Sequence, residues 1–137
     1  MDLTNGKKLN KILNKKFDYI FHCASYGQPK KWANNEYKTI YLNINLVKKI
    51  LEHSVKNKSR ILYFSSAAVY KIPKDKKIVN ENSSLDVGKF PGEIIYANSK
   101  IIGEQLCKIY KKKYNLPIYI VRPAHTYGPG QDFKDHR

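Results

Sequence analysis

Three short apolar runs, separated by two long helical patterns, restrict this chain to few folds. The runs occupy residues 17–24, 60–65 and 117–121. Between them, residues 35–56 and 94–114 repeat apolar side chains every three to four positions, which is the period of an α-helix. The first run is almost continuously apolar, as in a strand buried on both faces. Strands that alternate with long helices predict an α/β fold, with a parallel sheet and helices on both of its faces.

The chain is strongly basic, but the type of basic residue argues against a nucleic-acid partner. The net charge is +15, from 26 Lys+Arg and 11 Asp+Glu. Nearly all basic residues are lysines spread along the chain, and only Arg60, Arg122 and Arg137 are arginines. Arginine reads bases and phosphates better because its planar guanidinium group bonds in pairs. We therefore expect an ordinary lysine-rich surface on one domain of 137 residues.

Cysteine usage and hydropathy indicate a cytoplasmic chain. Cys23 and Cys107 stand far apart with no C-x-x-C pair, which is typical of reduced cysteines and of neither a disulfide framework nor a zinc site. The first residues contain no apolar signal core, and no run approaches the roughly 18 apolar residues of a membrane span. We expect no metal site and no membrane segment.

A serine, a tyrosine and a lysine form the most informative pattern. Ser66 follows the second apolar run, and Tyr96 and Lys100 lie four positions apart, on one face of the second long helix. A free phenol has a pKa near 10, and a nearby ammonium favours its ionised form. The pattern predicts that Lys100 lowers the pKa of Tyr96, which acts as a base, while Ser66 donates a hydrogen bond to the same substrate oxygen.

The surroundings of this tyrosine–lysine pair carry its specificity. A tyrosine followed four positions later by a lysine occurs three times in the chain. The pairs at 26/30 and 70/74 each contain a proline next to the lysine, which interrupts a helix. Only Tyr96 and Lys100 lie in an unbroken helical pattern that follows a strand ending in serine. The alternative for this pair is an exposed helix face.

With these surroundings, the chain resembles the extended short-chain dehydrogenase/reductase family, the NAD-dependent sugar-nucleotide epimerases, dehydratases and decarboxylases. The matching segments are 19–25, 66–70, 96–100, 103–104 and 122–130, together with Asn43. The resemblance covers almost the whole chain. It implies a partial, doubly wound Rossmann-like sheet, in which residues 1–137 form the part from the centre to the sixth strand of an NAD-binding epimerase/dehydratase domain.

The resemblance implies a role for each matching residue. The catalytic residues would be Ser66, Tyr96 and Lys100, and the cofactor-binding residues Asp2, Cys23, Ala24, Ser25, Asn43, Tyr96, Lys100 and Pro123. The substrate-binding residues would be Ser66, Ala67 and His125. Three alternatives remain open: Asp2 as a helix N-cap, Cys23 and Ala24 as packing residues against the sheet, and His125 as an ordinary loop histidine.

The resemblance also implies the reaction and its partners. The enzyme would oxidise a hydroxyl of a nucleotide sugar by hydride transfer to NAD, with NADP left open, and would serve polysaccharide biosynthesis. The two long helices would pair between subunits of a homodimer.

Two departures from the family pattern leave alternatives. The chain has no G-x-x-G-x-x-G turn for the pyrophosphate, so a truncated, catalytically inactive fragment is the second hypothesis. Dehydratases carry an acidic pair where Ala67 and Ala68 stand, which favours epimerisation or simple 4-keto chemistry. Against this, residues 25–29 and 127–130 look closer to the UDP-glucuronate decarboxylase and dTDP-glucose 4,6-dehydratase branch.

Overall fold

A computed structural model describes residues 2–26, 29–71, 78–85, 91–124, 126 and 128–129 of the chain. Three strands form one sheet in the order β1 (Tyr19–His22), β2 (Arg60–Phe64) and β3 (Ile118–Val121). Both strand pairs are parallel. Parallel neighbours require a long crossover connection, and helices supply it here. The predicted α/β class with a parallel, Rossmann-like sheet is therefore confirmed.

The described residues form five α-helices beside this sheet. They are α1 (Gly6–Leu13), α2 (Pro29–Ala33), α3 (Glu36–Ile40), α4 (Leu46–Asn57) and α5 (Pro91–Tyr114). A π-helical turn at Tyr41–Asn45 joins α3 to α4, and a short 3-10 turn at Ala67–Val69 follows β2. The sequence predicted one regular helix over 35–56. The wider π turn changes the register, so that two successive side chains, Leu42 and Asn43, are both buried.

The core lies on one face of the sheet. Ile61, Tyr63 and Ile118 are buried there. They pack with apolar side chains of the helices, including Leu46, Val47, Ile50 and Leu51 of α4 and Cys107 of α5. Leu9 of α1 belongs to the same cluster. These contacts fix the helices, and therefore the residues that they carry, against the ends of the strands.

The opposite face of the sheet is exposed, although the sequence predicted helices on both faces and a first strand buried on both sides. Tyr19, Phe21 and Tyr119 are exposed at 58%, 66% and 63%. Successive residues of a strand point to opposite faces, so these three share the face away from the core. The described helices therefore cover one face and not both, and β1 is not buried on both sides.

Among the described residues there is no candidate for a membrane-spanning helix, a metal-binding cluster or a disulfide. None of their helices has the length and apolar character needed to cross a membrane. They hold no group of three or more His, Cys, Asp or Glu side chains suited to a metal ion. Cys23 is exposed, Cys107 is buried, and both are free thiols.

Candidate active site

Ser66 lies where β2 leaves the sheet. It caps the 3-10 turn, and its Oγ accepts a hydrogen bond from the Ala68 N–H at 3.1 Å. The Ala67 N–H donates to the Pro123 carbonyl oxygen at 3.0 Å, which ties this turn to the segment after β3. The predicted residues Ser66, Ala67 and Pro123 therefore meet at the carboxyl edge of the parallel strands, where ligands bind in such sheets.

Lys100 is buried beneath this edge. Its side chain, on α5, points between two rings, with Nζ 5.4 Å from the Tyr63 ring centroid and 5.8 Å from that of Tyr96. Nζ donates to the Phe64 carbonyl oxygen at 2.8 Å. Only 3% of Lys100 is exposed, and this burial lowers the pKa of its ammonium to about 8.

Tyr96 lies one helical turn before Lys100 and meets Ser66. Burial raises the pKa of the Tyr96 phenol above 10, and a hydrogen bond with Ser66 partly opposes this effect. The predicted lowering of this pKa by Lys100 is wrong, because the ammonium lies beside the ring and donates to a carbonyl instead. The structure nevertheless brings the serine, the tyrosine and the lysine into one site.

Tyr63, which the sequence did not single out, and Gly103, which lies in a segment that matches the family, support this site. His22, at the end of β1, stacks on Tyr63 with ring centroids 5.8 Å apart, and its Nε2 donates to the Leu42 carbonyl oxygen at 3.2 Å. A Cβ on Gly103 would overlap the Tyr63 hydroxyl and lie 2.7 Å from the Asn43 carbonyl oxygen. Gly103 thus permits the close approach of α5 that positions Tyr96 and Lys100.

Trp32 contacts the Tyr96 ring, and sequence reasoning missed it. Its indole stacks on the Tyr96 ring, with centroids 5.3 Å apart and planes inclined by 16°. One local signal existed, since Trp32 is the single tryptophan of the chain and follows the loop after β1. Nothing in the sequence shows that α2 packs against α5, which is what brings the two rings together.

The predicted cofactor residues after β1 lie at the same edge of the sheet. Cys23 is exposed, and Ala24 packs partly against the core. Ser25 Oγ is buried and has no hydrogen-bond partner among the described residues. A buried hydroxyl without a partner is costly, so it marks a position where a ligand group would be stabilised.

Two other predicted residues make hydrogen bonds within the protein. Asn43 is fully buried, and its Nδ2 donates to Ser99 Oγ at 2.9 Å. The Asp2 carboxylate accepts hydrogen bonds from the Thr4 hydroxyl and N–H, which lower the pKa of Asp2. The alternative of Asp2 as a helix N-cap is wrong, since Asn5 caps α1. His125 lies outside the described residues.

A buried ion pair between Arg122 and Glu104 links the segment after β3 to α5. Arg122, just after β3, donates from Nε and Nη2 to the two carboxylate oxygens of Glu104 at 2.8 and 2.7 Å. Its Nη1 donates to the Glu81 carbonyl oxygen at 3.1 Å, and its guanidinium lies 4.8 Å from the Tyr70 ring centroid. This arginine therefore links α5, β3, the 3-10 turn and residues 78–85.

The geometry suits proton transfer next to a nicotinamide nucleotide. The Ser66 hydroxyl and the Tyr96 phenol can bind one substrate oxygen together. The unpartnered Ser25 hydroxyl and the Lys100 ammonium, which uses one hydrogen for Phe64, can bind ribose hydroxyls. The described residues thus fit the nicotinamide end of NAD, while the sequence provides no glycine-rich turn for its pyrophosphate.

Comparisons with known proteins agree with this geometry. A model of the NAD dependent epimerase/dehydratase family matches residues 1–137. The bifunctional polymyxin resistance protein ArnA of Wigglesworthia glossinidia brevipalpis is 34% identical over 122 residues, which are 88% of this chain and 19% of that protein. An uncharacterized UDP-glucose epimerase YtcB of Bacillus subtilis (strain 168) is 33% identical over 127 residues, 88% of this chain and 37% of its own.

Solved structures that resemble this chain include two UDP-sugar 4-epimerases. UDP-glucuronic acid 4-epimerase from Bacillus cereus in complex with NAD has a TM-score of 0.73 and 27% identity, over 96% of this chain and 39% of that one. UDP-N-acetylglucosamine 4-epimerase from Methanobrevibacter ruminantium M1 has a TM-score of 0.78 and 26% identity, over 96% and 40%. The chain spans less than half the length of each relative.

Proposed function

The chain belongs to the NAD-dependent epimerase/dehydratase family, and on this premise we propose that it is the catalytic core segment of an enzyme that oxidises a hydroxyl of a nucleotide sugar. The observation that carries this proposal is the convergence of Ser66, Tyr96 and Lys100 at the carboxyl edge of a parallel sheet. The relatives include a UDP-glucose epimerase and a UDP-glucuronic acid 4-epimerase, which supports a nucleotide sugar as the substrate.

Each residue has a distinct part in the proposed chemistry. NAD, when bound, accepts a hydride from the sugar carbon. Because the pKa of the Tyr96 phenol lies above 10, Tyr96 must first lose its own proton to solvent, and the positive charge of bound NAD would favour the ionised form. The Tyr96 phenolate would then take the proton of the sugar hydroxyl, while the Ser66 hydroxyl donates a hydrogen bond to the same sugar oxygen. Lys100, with a pKa of about 8, is largely protonated at pH 7 and supplies the positive charge and N–H donors beside the ring. Ser25 and Lys100 would hold the nicotinamide ribose.

Ala67 and Ala68 favour epimerisation over dehydration. They form the start of the turn after Ser66, and neither has a side chain that can transfer a proton. Elimination of water requires a further acid–base group besides Tyr96, whereas oxidation and reduction at one carbon require only Tyr96. The decarboxylase and dehydratase branch remains the alternative, and NADP remains an alternative to NAD.

Exposed apolar residues on α3 and α5 support a subunit interface in a larger enzyme. We propose that residues 1–137 form the part from the centre to the sixth strand of the NAD-binding domain, and that the complete enzyme is a cytoplasmic homodimer. Two observations support a subunit interface: α5 exposes Ile102 and Ile109, seven positions apart, and α3 exposes Tyr37 and Ile40. The free thiols of Cys23 and Cys107 suit a reducing compartment.

Because the sequence has no pyrophosphate-binding turn, we propose that this chain alone binds NAD weakly or not at all. Calorimetric titration of the chain with NAD should give no saturable signal in the micromolar range. A micromolar dissociation constant would contradict this proposal.

The proposed function itself is tested in a completed enzyme, in which the chain is joined to the glycine-rich half of a relative. Tyr96→Phe removes only the acid–base hydroxyl and should lower turnover of UDP-sugars by about 10²- to 10⁴-fold with an unchanged fold. Tyr119→Phe is the matched control, because Tyr119 lies on the exposed far face of the sheet. Equal turnover of both variants would remove Tyr96 from the mechanism.

A further inference from the structure

Tyr96 is enclosed on one side by an aromatic ring from another element. Trp32 of α2 lies flat on the phenol ring, at a centroid distance of 5.3 Å and an angle of 16°. These values are within the range of offset stacked pairs, in which the two rings restrict each other's rotation. The hydroxyl oxygen lies on the axis of ring rotation, but the phenolic O–H bond prefers the plane of the ring. A stacked neighbour that holds the ring in one rotamer and one plane therefore fixes both the position of the oxygen and the direction of its O–H bond.

The backbone of Trp32 is itself held in place. Its carbonyl oxygen accepts hydrogen bonds from the Asn35 N–H at 3.4 Å and from the Thr39 hydroxyl at 3.5 Å. Thr39 is fully buried, and α2 and α3 both pack against α5, which carries Tyr96. The indole is therefore attached to a fixed part of the structure.

The other groups around the phenol lie in different directions. Ser66 hydrogen-bonds the hydroxyl end, and the Lys100 ammonium lies 5.8 Å from the ring centroid. The buried Tyr63 hydroxyl is the remaining titratable neighbour, and its pKa is raised by burial and, to a smaller extent, by Tyr96. None of these three groups stacks on the ring, so Trp32 alone among the described residues fixes its plane.

We propose that Trp32 is a positioning residue for Tyr96: its indole holds the phenol ring in the rotamer and plane in which the hydroxyl meets Ser66, and it closes one face of the ring to water. The proposal rests on the proposed function, because the orientation matters only where Tyr96 transfers a proton. A substrate oxygen then reaches the phenol from a side that Trp32 does not cover.

Nuclear magnetic resonance of the chain with ¹³C at the tyrosine Cζ tests this without cofactor or turnover. The chain has 11 tyrosines, and the Tyr96 signal is the one that Tyr96→Phe removes. In the wild type this signal should titrate above pH 10, the ordinary value. Trp32→Leu should lower this pKa towards its ordinary value, because water reaches the open ring face, and should move the signal at neutral pH.

Two variants separate positioning from a general effect on folding. Trp32→Phe retains a flat ring and should restore most of the wild-type signal and titration. Tyr114→Leu changes the Tyr110–Tyr114 ring contact elsewhere on α5 and should leave the Tyr96 signal unchanged. An unchanged Tyr96 titration in folded Trp32→Leu, or no recovery in Trp32→Phe, would overturn the proposal.

A second measurement covers the case in which Trp32→Leu does not fold. Fluorotryptophan labels Trp32 alone, since the chain has one tryptophan. Its ¹⁹F signal should change little in Tyr96→Phe and clearly in Tyr96→Leu, and an equal signal in both would refute the stacking. Because neither readout involves catalysis, failure of the proposed function would show in turnover, whereas failure of this proposal would show in these spectra.

Discussion

Arg122 and Glu104 form a bidentate ion pair that joins the end of β3 to the middle of α5. The carboxylate is fully buried, and the two oxygens each accept one N–H of the guanidinium, at 2.8 and 2.7 Å. Burial alone would raise the pKa of Glu104, but the hydrogen bonds and the charge of Arg122 outweigh it and hold the pKa below 4.5. Such a pair is strong because both partners are already aligned.

Breaking this pair should be strongly destabilising. Arg122→Met leaves the Glu104 carboxylate buried without a counter-charge, which costs roughly 3 to 5 kcal/mol of unfolding free energy. Because the folded pKa of Glu104 is depressed, its contribution is present at neutral pH and is lost as the pH falls through that folded value. Urea denaturation at pH 7 and at pH 3 measures both effects.

The exposed pair Lys48–Glu52 provides the control. Its charged atoms are 3.7 Å apart and its side chains are 60% and 52% exposed, so Glu52→Gln should change stability by less than about 0.5 kcal/mol. A loss from Arg122→Met that is no larger than this control would show that the buried pair does not hold the site together.

Gly103 should not tolerate a methyl group. Gly103→Ala places a Cβ against the Tyr63 hydroxyl and 2.7 Å from the Asn43 carbonyl oxygen, so α5 must move outward. Overpacking of this kind costs about 1 to 3 kcal/mol, more than the roughly 1 kcal/mol that alanine gains over glycine inside a helix. Thermal denaturation should show a lower midpoint, and adding Tyr63→Phe should recover part of the loss.

Gly6, at the start of α1, is the matched control for this substitution. No atom lies within 4 Å of the position that its Cβ would occupy, so Gly6→Ala should be neutral or slightly stabilising. An equal decrease of the two midpoints would mean that the close approach of α5 at Gly103 carries no energetic weight.

His22 should make the fold sensitive to mild acid. Burial, together with the charge of Lys100, lowers the pKa of His22 to about 4. The unfolded chain binds this proton near pH 6.5, so stability is complete above that value and falls by on the order of 3 kcal/mol towards pH 4. His22→Gln cannot take up the proton, so denaturation midpoints between pH 6.5 and 4 should lose this slope. A variant with the wild-type slope would assign it to another group.

The periodicity of the sequence was sufficient to predict the strands, their parallel order and the long helices. It could not show that the helices cover one face, because Tyr19, Phe21 and Tyr119 have the apolar character that a buried face also has. The π turn at Tyr41–Asn45 was also unpredicted. Its register change depends on packing against α5, which leaves no local pattern.

The candidate site, like the fold, could be predicted only in part from the sequence. The spacing of Tyr96 and Lys100, and Ser66 after a strand, were sufficient to predict which residues meet. The partners that set their properties were not predictable: Trp32 stacks on a residue 64 positions away in the chain. The pKa of Tyr96 was predicted with the wrong sign, because spacing on a helix shows proximity but not which atom an ammonium faces.

The buried charge of Lys100 should lower the stability of the folded state. Burial lowers its pKa from 10.5 to about 8, so below pH 8 the folded state contains a disfavoured charge, worth roughly 3 kcal/mol. Because the folded pKa is depressed, this cost disappears as the pH rises from 8 to 10.5.

Lys100→Met removes the charge but also the hydrogen bond to the Phe64 carbonyl, so a net gain of about 1 to 2 kcal/mol is expected at pH 7. At pH 10 that advantage should be largely lost. Urea denaturation at both pH values measures the difference, with Lys56→Met as the control for removing an exposed charge from a chain of net charge +15. A difference between Lys100→Met and wild type that does not change with pH would show that Lys100 is not buried as a charged group.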